Sequence, residues 1–241
     1  LFNHLMFCVH LWFILSGCQI KMDKMQKVIS LLRKEYGTPQ FDGYPDPLDE
    51  LIITILSQNT SWQNCRRAFD SLKKSFKTWK QVASADTQKI ARAIKIGGLS
   101  GIKAGRIKEI LKVVYEEKGS YSLLLLKKES LADAHKFLVS LKGVGPKTAA
   151  CVLLFSCRRP ILPVDTHILR ISQRLGLIPE DTDAVKAHEL LGRQVPHKKQ
   201  TILTFHVDMI QHGRTVCKSQ RPRCRNCILK LLCPYGYAQN P

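Results

Sequence analysis

Four cysteines near the end of the chain have the clearest capacity for chemistry. In CKSQRPRCRNCILKLLC they stand at the spacing C-x6-C-x2-C-x5-C, as Cys217, Cys224, Cys227 and Cys233. Four thiolates in so short a run select a soft metal centre, either Zn2+ or an iron–sulfur cluster. Zinc ribbons favour two C-x2-C pairs with a longer insert, whereas only one pair here has that spacing. The compact, uneven run therefore favours a [4Fe–4S] cluster, with zinc as the alternative.

A single lysine follows a glycine turn in LKGVGPKTAA, residues 141–150. Gly143 and Gly145 permit positive φ angles and leave N–H groups uncovered in front of a predicted helix over 147–156. Such N–H groups bind a phosphate oxygen and hold a nucleic acid without reading its sequence. Lys147 is then either a cation that contacts phosphate or a nucleophile. A nucleophile needs a neutral amine, and a helix N-terminus and partial burial both favour that form.

Helical periodicity dominates the elements that must position these residues, and no convincing strand alternation appears. We therefore predict an all-α fold of about ten short helices. The segment 47–58 is apolar nearly all round, as a buried helix is, and a helix over 103–119 is expected after the turn GGLSG. Two prolines interrupt the helices in CRRPILPVDTH, residues 157–167. This break predicts a crossing between two lobes, which would bring Lys147 and Asp165 near one another.

The charge balance indicates an anionic partner. The chain has 38 Lys and Arg residues against 19 Asp and Glu residues, for a net charge of +19. Nucleic acid is the commonest partner of so basic a chain, with anionic membranes and ribosomal contacts as competitors. Basic residues outside the motifs are expected on solvated helix faces, some of them facing DNA: Arg66, Arg67, Lys73, Lys74, Lys103 and Arg106.

Residues 1–20 form the one membrane-like run in the sequence. Polar residues interrupt it and a basic leader is missing, so we interpret residues 1–21 as upstream sequence translated in frame or as an extension outside the fold, and we expect no membrane partner. A membrane anchor is the alternative. The nine cysteines are odd in number, which argues against a disulfide framework and for a reducing, intracellular location in the cytoplasm or nucleoid. Five other cysteines stand among apolar neighbours and are expected to be small buried hydrophobes: Cys8, Cys18, Cys65, Cys151 and Cys157.

Three segments in order resemble the endonuclease III family of the helix-hairpin-helix superfamily: LKGVGPKTAACVLLF, VDTHILRISQRLGL and HGRTVCKSQRPRCRNCILKLLC. The resemblance runs from about Met22 to Tyr235. It implies a bifunctional DNA glycosylase and abasic-site lyase with a [4Fe–4S] loop. It also implies two helical lobes with DNA in the cleft between them. One is a six-helix domain over 49–158, and the other joins 22–48 to 159–241 and carries the cluster.

The resemblance also assigns catalytic roles. Lys147 would attack C1′ of a damaged nucleotide to form a Schiff base, and elimination of the 3′ phosphate would nick the strand. Asp165, in PVDTH, would stabilise the positive charge on the sugar and help to move protons, while the alternative is a helix cap. The implied substrate is double-stranded DNA with an oxidised, ring-saturated or fragmented pyrimidine or an abasic site, bound by a monomer.

Further DNA contacts follow from the same resemblance. ILSQNTSW, residues 55–62, occupies the place of the family's glutamine-containing wedge, so Gln58 or Asn59 is the candidate to fill the duplex gap. The alternative is a polar helix end that caps itself. This segment departs from the commonest bacterial version, SAQATD, which leaves the base preference open. Arg214, in HGR, would touch phosphate or pack beneath the cysteine loop.

Other functions remain as alternatives. Mismatch uracil or thymine glycosylases are monofunctional relatives, some of which replace the lysine. Adenine-mismatch glycosylases usually carry a glutamate where Thr54 stands. A non-catalytic DNA-binding iron–sulfur protein or a zinc-containing structural module would need neither Lys147 nor Asp165. The presence of both residues favours the bifunctional enzyme.

Overall fold

The computed structural model describes residues 23–40 and 43–239, and the predicted extension over 1–21 lies outside them. Within these residues the chain forms twelve α-helices and no β-strand, which confirms the all-α prediction. In this part of the chain, no helix combines the length and apolar character that crossing a bilayer requires. Cys65, Cys151 and Cys157 are buried as expected, whereas Cys8 and Cys18 lie outside the described residues.

The helices are joined by short turns and by four 3-10 segments. In chain order the α-helices are α1 (23–36), α2 (Pro47–Leu56), α3 (Trp62–Ser75), α4 (Trp79–Ser84), α5 (Thr87–Ala93), α6 (Ser100–Lys118), α7 (Leu131–Ser140), α8 (Pro146–Phe155), α9 (Thr166–Arg174), α10 (Ala184–Gly192), α11 (Lys199–Thr215) and α12 (Pro234–Gln239).

One compact unit comprises Phe41–Pro163. Its central helix is α2, which packs against α8, α3 and α6. Every residue of α2 except Asp49 is buried, which explains why this segment is apolar nearly all round. Side chains from α3, α6, α7 and α8 complete this core. The glycine turn before Lys147 thus belongs to a unit organised around a helix that is buried at every residue but one.

The second unit joins the chain before Phe41 to Val164–Pro241. Here α9 packs against α11, α10 and α12. The contact with α11 is close, because a Cβ on Gly213 would lie 2.7 Å from Cβ of His167. Any larger residue at Gly213 would therefore push the two helices apart.

The turn before α6 differs from the prediction. The helix begins at Ser100, inside GGLSG, rather than at residue 103. Leu99 takes the left-handed conformation there, with φ of 49°, although glycines stand on either side of the Leu99–Ser100 pair. The sequence prediction was wrong because it assigned the whole glycine-rich segment to the turn.

Lys103 also differs from the prediction of a solvated helix face, since its side chain is only 2% exposed. Its Nζ donates to the carbonyl oxygens of Leu56, at 2.7 Å, and Gly97, at 2.8 Å. Burial lowers the pKa of this ammonium group, and the nearby Cys65 opposes that shift. Lys103 therefore joins the end of α2 to the turn before α6.

Candidate functional site

The glycine turn ends in a helix N-terminus that no side chain caps. Gly143 has a φ of 79°, a conformation that favours glycine, and Gly145 is the N-cap of α8 in an extended conformation. A glycine N-cap supplies no side-chain acceptor, unlike Ser61 and Thr78, which cap α3 and α4. The positive end of the α8 dipole therefore has no capping side chain and can bind an external anion, of which phosphate is the commonest at helix N-termini.

Lys147 is the second residue of α8 and is half-buried. On the neighbouring helix α2, Glu50 is 3% exposed and accepts the backbone N–H of Tyr44 at 3.3 Å. Burial raises the pKa of Glu50 to about 7, while the Tyr44 hydrogen bond and the positive charge of Lys147 act to lower it. The site therefore holds a lysine within electrostatic reach of a buried carboxyl group that protonates near neutral pH.

Sequence reasoning did not single out Glu50. The signal that could have found it is its position as an acidic residue in the middle of an apolar helix, where an ionised side chain is costly unless it has a partner.

Gln58 makes two hydrogen bonds, one with Arg106 of α6 and one with the glycine turn. Arg106 donates from Nη1 to Oε1 of Gln58 at 2.6 Å, and Gln58 donates from Nε2 to the carbonyl oxygen of Gly143 at 3.4 Å. A Cβ on Gly143 would lie 2.1 Å from Nε of Arg106. Arg106 was expected on a solvated face, but it is half-buried between these two segments. Asn59, the other wedge candidate, is exposed with φ of 54°.

Leu99 is a second residue that sequence reasoning missed. This apolar side chain is 52% exposed in the left-handed turn before α6. Lys103 holds the turn through Gly97 and holds the end of α2 through Leu56, two residues before Gln58. One buried ammonium group therefore supports both the Gln58 segment and the Leu99 turn.

Asp165, in the other unit, is the N-cap of α9. Its Oδ1 accepts the backbone N–H groups of His167 and Ile168 at 2.9 and 2.8 Å. The cap alternative from the sequence is therefore confirmed, and it leaves Oδ2 outside these two bonds. Proximity of Asp165 to Lys147 stays a prediction.

Arg214 is exposed beside an open hollow that His167, Arg170 and Lys218 also line. Arg170 donates from Nη2 to the carbonyl oxygens of Cys217, at 2.8 Å, and Gly213, at 3.1 Å. This surface is basic, and Arg170 links it to the first of the four clustered cysteines.

The four clustered cysteines line one common cavity: Cys217, Cys224, Cys227 and Cys233. Burial raises the pKa of Cys227 to about 11 and also raises the pKa of Cys233, and the neighbouring cysteines act in the same direction. Thiolates would therefore be unfavourable here without a cationic centre to balance them. No three His, Cys, Asp or Glu side chains in the described part of the chain are arranged to hold a single ion. The four sulfurs around one cavity are soft donors of the kind that transition metals prefer.

Arg174 braces this loop from α9. Its Nη1 lies 3.3 Å from Sγ of Cys217 and 2.7 Å from the carbonyl oxygen of Lys218. Its guanidinium group stacks over the ring of Tyr235, with 4.4 Å between Cζ and the ring centroid. Sγ of Cys233 lies 3.3 Å from the carbonyl oxygen of Arg174.

His212, in HGR, is a further residue that the sequence did not reveal. It is 1% exposed, and burial lowers its pKa to about 4. Nδ1 lies 2.9 Å from the hydroxyl of Tyr36, and Nε2 lies 3.4 Å from Sγ of Cys227. A hydroxyl donating to Nδ1 leaves the proton of the neutral ring on Nε2. His212 can then donate a hydrogen bond to one of the four sulfurs.

The chain is similar to known proteins in both sequence and structure. Residues 52–197 match the family model of the HhH-GPD superfamily base excision DNA repair proteins. A relative from Arabidopsis thaliana that carries the name of a DNA glycosylase is 36% identical over 196 residues, 80% of this chain and 63% of that protein. Endonuclease III of Thermotoga maritima is 34% identical over 194 residues, 79% of this chain and 84% of that protein.

The structural similarity extends over most of the chain. A solved non-covalent endonuclease III–DNA complex superimposes with a TM-score of 0.77 at 25% sequence identity, covering 90% of this chain and 97% of the other.

Proposed function

This chain belongs to the endonuclease III family of HhH-GPD base excision DNA repair glycosylases, and we propose that it is a bifunctional glycosylase and abasic-site lyase for oxidised pyrimidines in double-stranded DNA. The observation that carries the proposal is the position of Lys147. It stands in the first turn of α8, after the glycine turn and within electrostatic reach of Glu50. A surface lysine needs none of these surroundings.

The chemistry needs a neutral amine beside a bound sugar. The Nζ lone pair of Lys147 attacks C1′ of the damaged nucleotide, and the bond from C1′ to the base breaks. The departing base takes up a proton, one proton leaves the amine, and the C1′–O4′ bond of the sugar opens with O4′ taking up a proton, which gives a Schiff base between Lys147 and C1′. The Schiff base makes the C2′ proton acidic, and removal of that proton expels the 3′ phosphate and nicks the strand. Asp165 stabilises positive charge on the sugar through its carboxylate while it caps α9.

DNA binding is supported by charge and by exposed side chains. The net charge of +19 attracts the phosphate backbone, and the uncapped α8 N-terminus and Arg214 supply local contacts. A damaged base must leave the helical stack, and a side chain of the protein must then fill the gap that the base leaves in the duplex. Gln58, Asn59 and the exposed Leu99 are the candidates to fill the gap. One of the structural relatives is itself a complex of endonuclease III with DNA.

A [4Fe–4S] cluster is the proposed cofactor, with Cys217, Cys224, Cys227 and Cys233 as its ligands. The shared cavity that these residues line supports the proposal. When bound, the cluster would hold the loop together, because metal ligation supplies folding free energy. The basic residues between the ligands, such as Arg221, Arg223 and Arg225, would then be presented to phosphate.

Borohydride trapping on a duplex with one abasic site tests the proposal. Wild type should give a covalent protein–DNA product, and Lys147→Gln should give none while still binding the same duplex. Excision from duplexes with thymine glycol should exceed excision from G:U and G:T mismatches. A folded wild-type protein that binds the duplex but traps nothing would contradict the lyase assignment and favour a monofunctional glycosylase or a non-catalytic binder.

A further inference from the structure

We propose that Arg106 is a positioning residue that holds Gln58 ready to enter the gap left by an extruded base, and that it acts through Gln58 rather than by binding phosphate. The proposal rests on the proposed function, because it takes Gln58 as a wedge residue. It extends that function by assigning a role to a residue outside the helix-hairpin-helix and cysteine motifs.

The hydrogen-bond chemistry fixes the orientation of the Gln58 amide. A guanidinium group only donates, so the atom 2.6 Å from Nη1 of Arg106 must be the oxygen Oε1. A carbonyl only accepts, so the atom facing the oxygen of Gly143 must be Nε2. Both contacts require the same orientation. Nε2 carries two hydrogens, so one N–H remains to be offered to a base edge.

Gly143 makes this arrangement possible. Nε of Arg106 lies 2.1 Å from the position that a Cβ atom on residue 143 would take. The φ of 79° at Gly143 is a second, independent reason for glycine at this position. The guanidinium group is therefore packed against the glycine turn while it holds Gln58. The candidate wedge and the candidate phosphate site are joined by one side chain.

Preorganisation is the expected benefit. A free glutamine side chain loses rotamer freedom when it enters a duplex, and an exposed one must also give up bonds to water. Arg106 restricts Gln58 before DNA binds. Loss of Arg106 should therefore weaken insertion into the duplex while leaving the phosphate contacts of the protein intact.

A double-mutant cycle read by fluorescence tests this role without requiring catalysis. The probe is a duplex with 2-aminopurine opposite a tetrahydrofuran abasic analogue, which reports unstacking of the estranged base. The proteins are wild type, Arg106→Met, Gln58→Ala and the double variant. Arg92→Met is the matched control, because Arg92 is an exposed arginine of the same unit. Affinity is measured by anisotropy at several salt concentrations.

We expect Arg106→Met and Gln58→Ala each to lose most of the fluorescence change at saturating protein and to weaken binding about three- to tenfold. The double variant should be no worse than Gln58→Ala, and the salt slope of binding should be unchanged. Arg92→Met should keep the fluorescence change. If Arg106→Met melts early, Arg106→Lys, which keeps the charge and an aliphatic stem but lacks the planar fork of N–H donors, takes its place in the cycle.

Two results would overturn the proposal: a full fluorescence change in Arg106→Met, or additive losses with a salt slope reduced by about one, as a direct phosphate contact gives. Failure of the lyase is seen separately, as absence of borohydride trapping with a normal fluorescence change.

Discussion

The ammonium group of Lys103 lies 2.7 Å from the carbonyl oxygen of Leu56, the last residue of α2. Its second bond, to Gly97, fixes the turn that presents Leu99. A cation buried among backbone carbonyls replaces the water that would otherwise satisfy a helix C-terminus. Two surface segments of the candidate site thus depend on one interior side chain.

Replacing Lys103 by methionine should destabilise the protein by about 2–4 kcal/mol, because two buried carbonyl groups lose charged donors. Thermal unfolding followed by circular dichroism measures the change. Lys112→Met on the same helix is the control, since Lys112 is exposed and makes only a long ion pair of 3.8 Å with Glu116. An equal, small effect from both variants would show that Lys103 does not brace the site.

Asp165→Asn should separate the capping role of this residue from its proposed catalytic role. An asparagine oxygen can still accept the N–H groups of His167 and Ile168, so stability should change by about 0.5 kcal/mol or less. Loss of the carboxylate charge should slow excision by about 10²- to 10³-fold. Single-turnover excision and thermal melting are measured together. Normal excision by Asp165→Asn would reduce Asp165 to a helix cap.

Glu50 should make stability fall as pH rises. Its folded pKa is about 7, above the ordinary value of 4.5, so between these values the folded protein binds more protons than the unfolded chain. The stability gained from this proton is present at low pH and is lost as pH rises through about 7. The free energy of unfolding of Glu50→Gln, relative to that of wild type, should therefore rise by about 1–3 kcal/mol from pH 5 to pH 8. Thermal unfolding of both proteins at each pH measures this change. A difference that does not depend on pH would contradict the burial argument.

His212→Leu should lower the midpoint potential of the proposed cluster by tens of millivolts. A donor to a cluster sulfur stabilises the extra negative charge of the reduced state, and the variant removes that donor from Cys227. Tyr36→Phe should shift the potential in the same direction by less, because it only loosens the ring orientation. Protein-film voltammetry gives the potentials, and the visible spectrum checks cluster content. Equal potentials in all three proteins would exclude the hydrogen bond.

Much of the fold was predictable from the sequence because its signals are local. Helical spacing predicted α2 and α8, and the Pro-Lys step after two glycines predicted where α8 begins. The cap at Asp165 was also within reach, since aspartate ahead of Thr-His-Ile is a common helix start. The four cysteines were grouped by spacing alone.

What the sequence did not reveal depends on contacts distant along the chain. The helical pattern of α6 placed Lys103 on a polar face, yet the carbonyl groups that bury it come from residues 56 and 97. Arg106 contacts Gln58 and Gly143, which lie 48 and 37 residues away from it along the chain. His212 contacts Tyr36, which is 176 residues away. No periodicity or motif encodes such pairings.

Identification of the trapped amine tests the central claim most directly. Wild-type protein is trapped on abasic duplex with borohydride, the DNA is digested to a sugar remnant, and the peptides are mapped by mass spectrometry. The account predicts that the remnant lies on Lys147, within the peptide that follows the glycine turn. A remnant on another lysine, or on an amine outside α8, would contradict Lys147 as the nucleophile even if strand cleavage were observed.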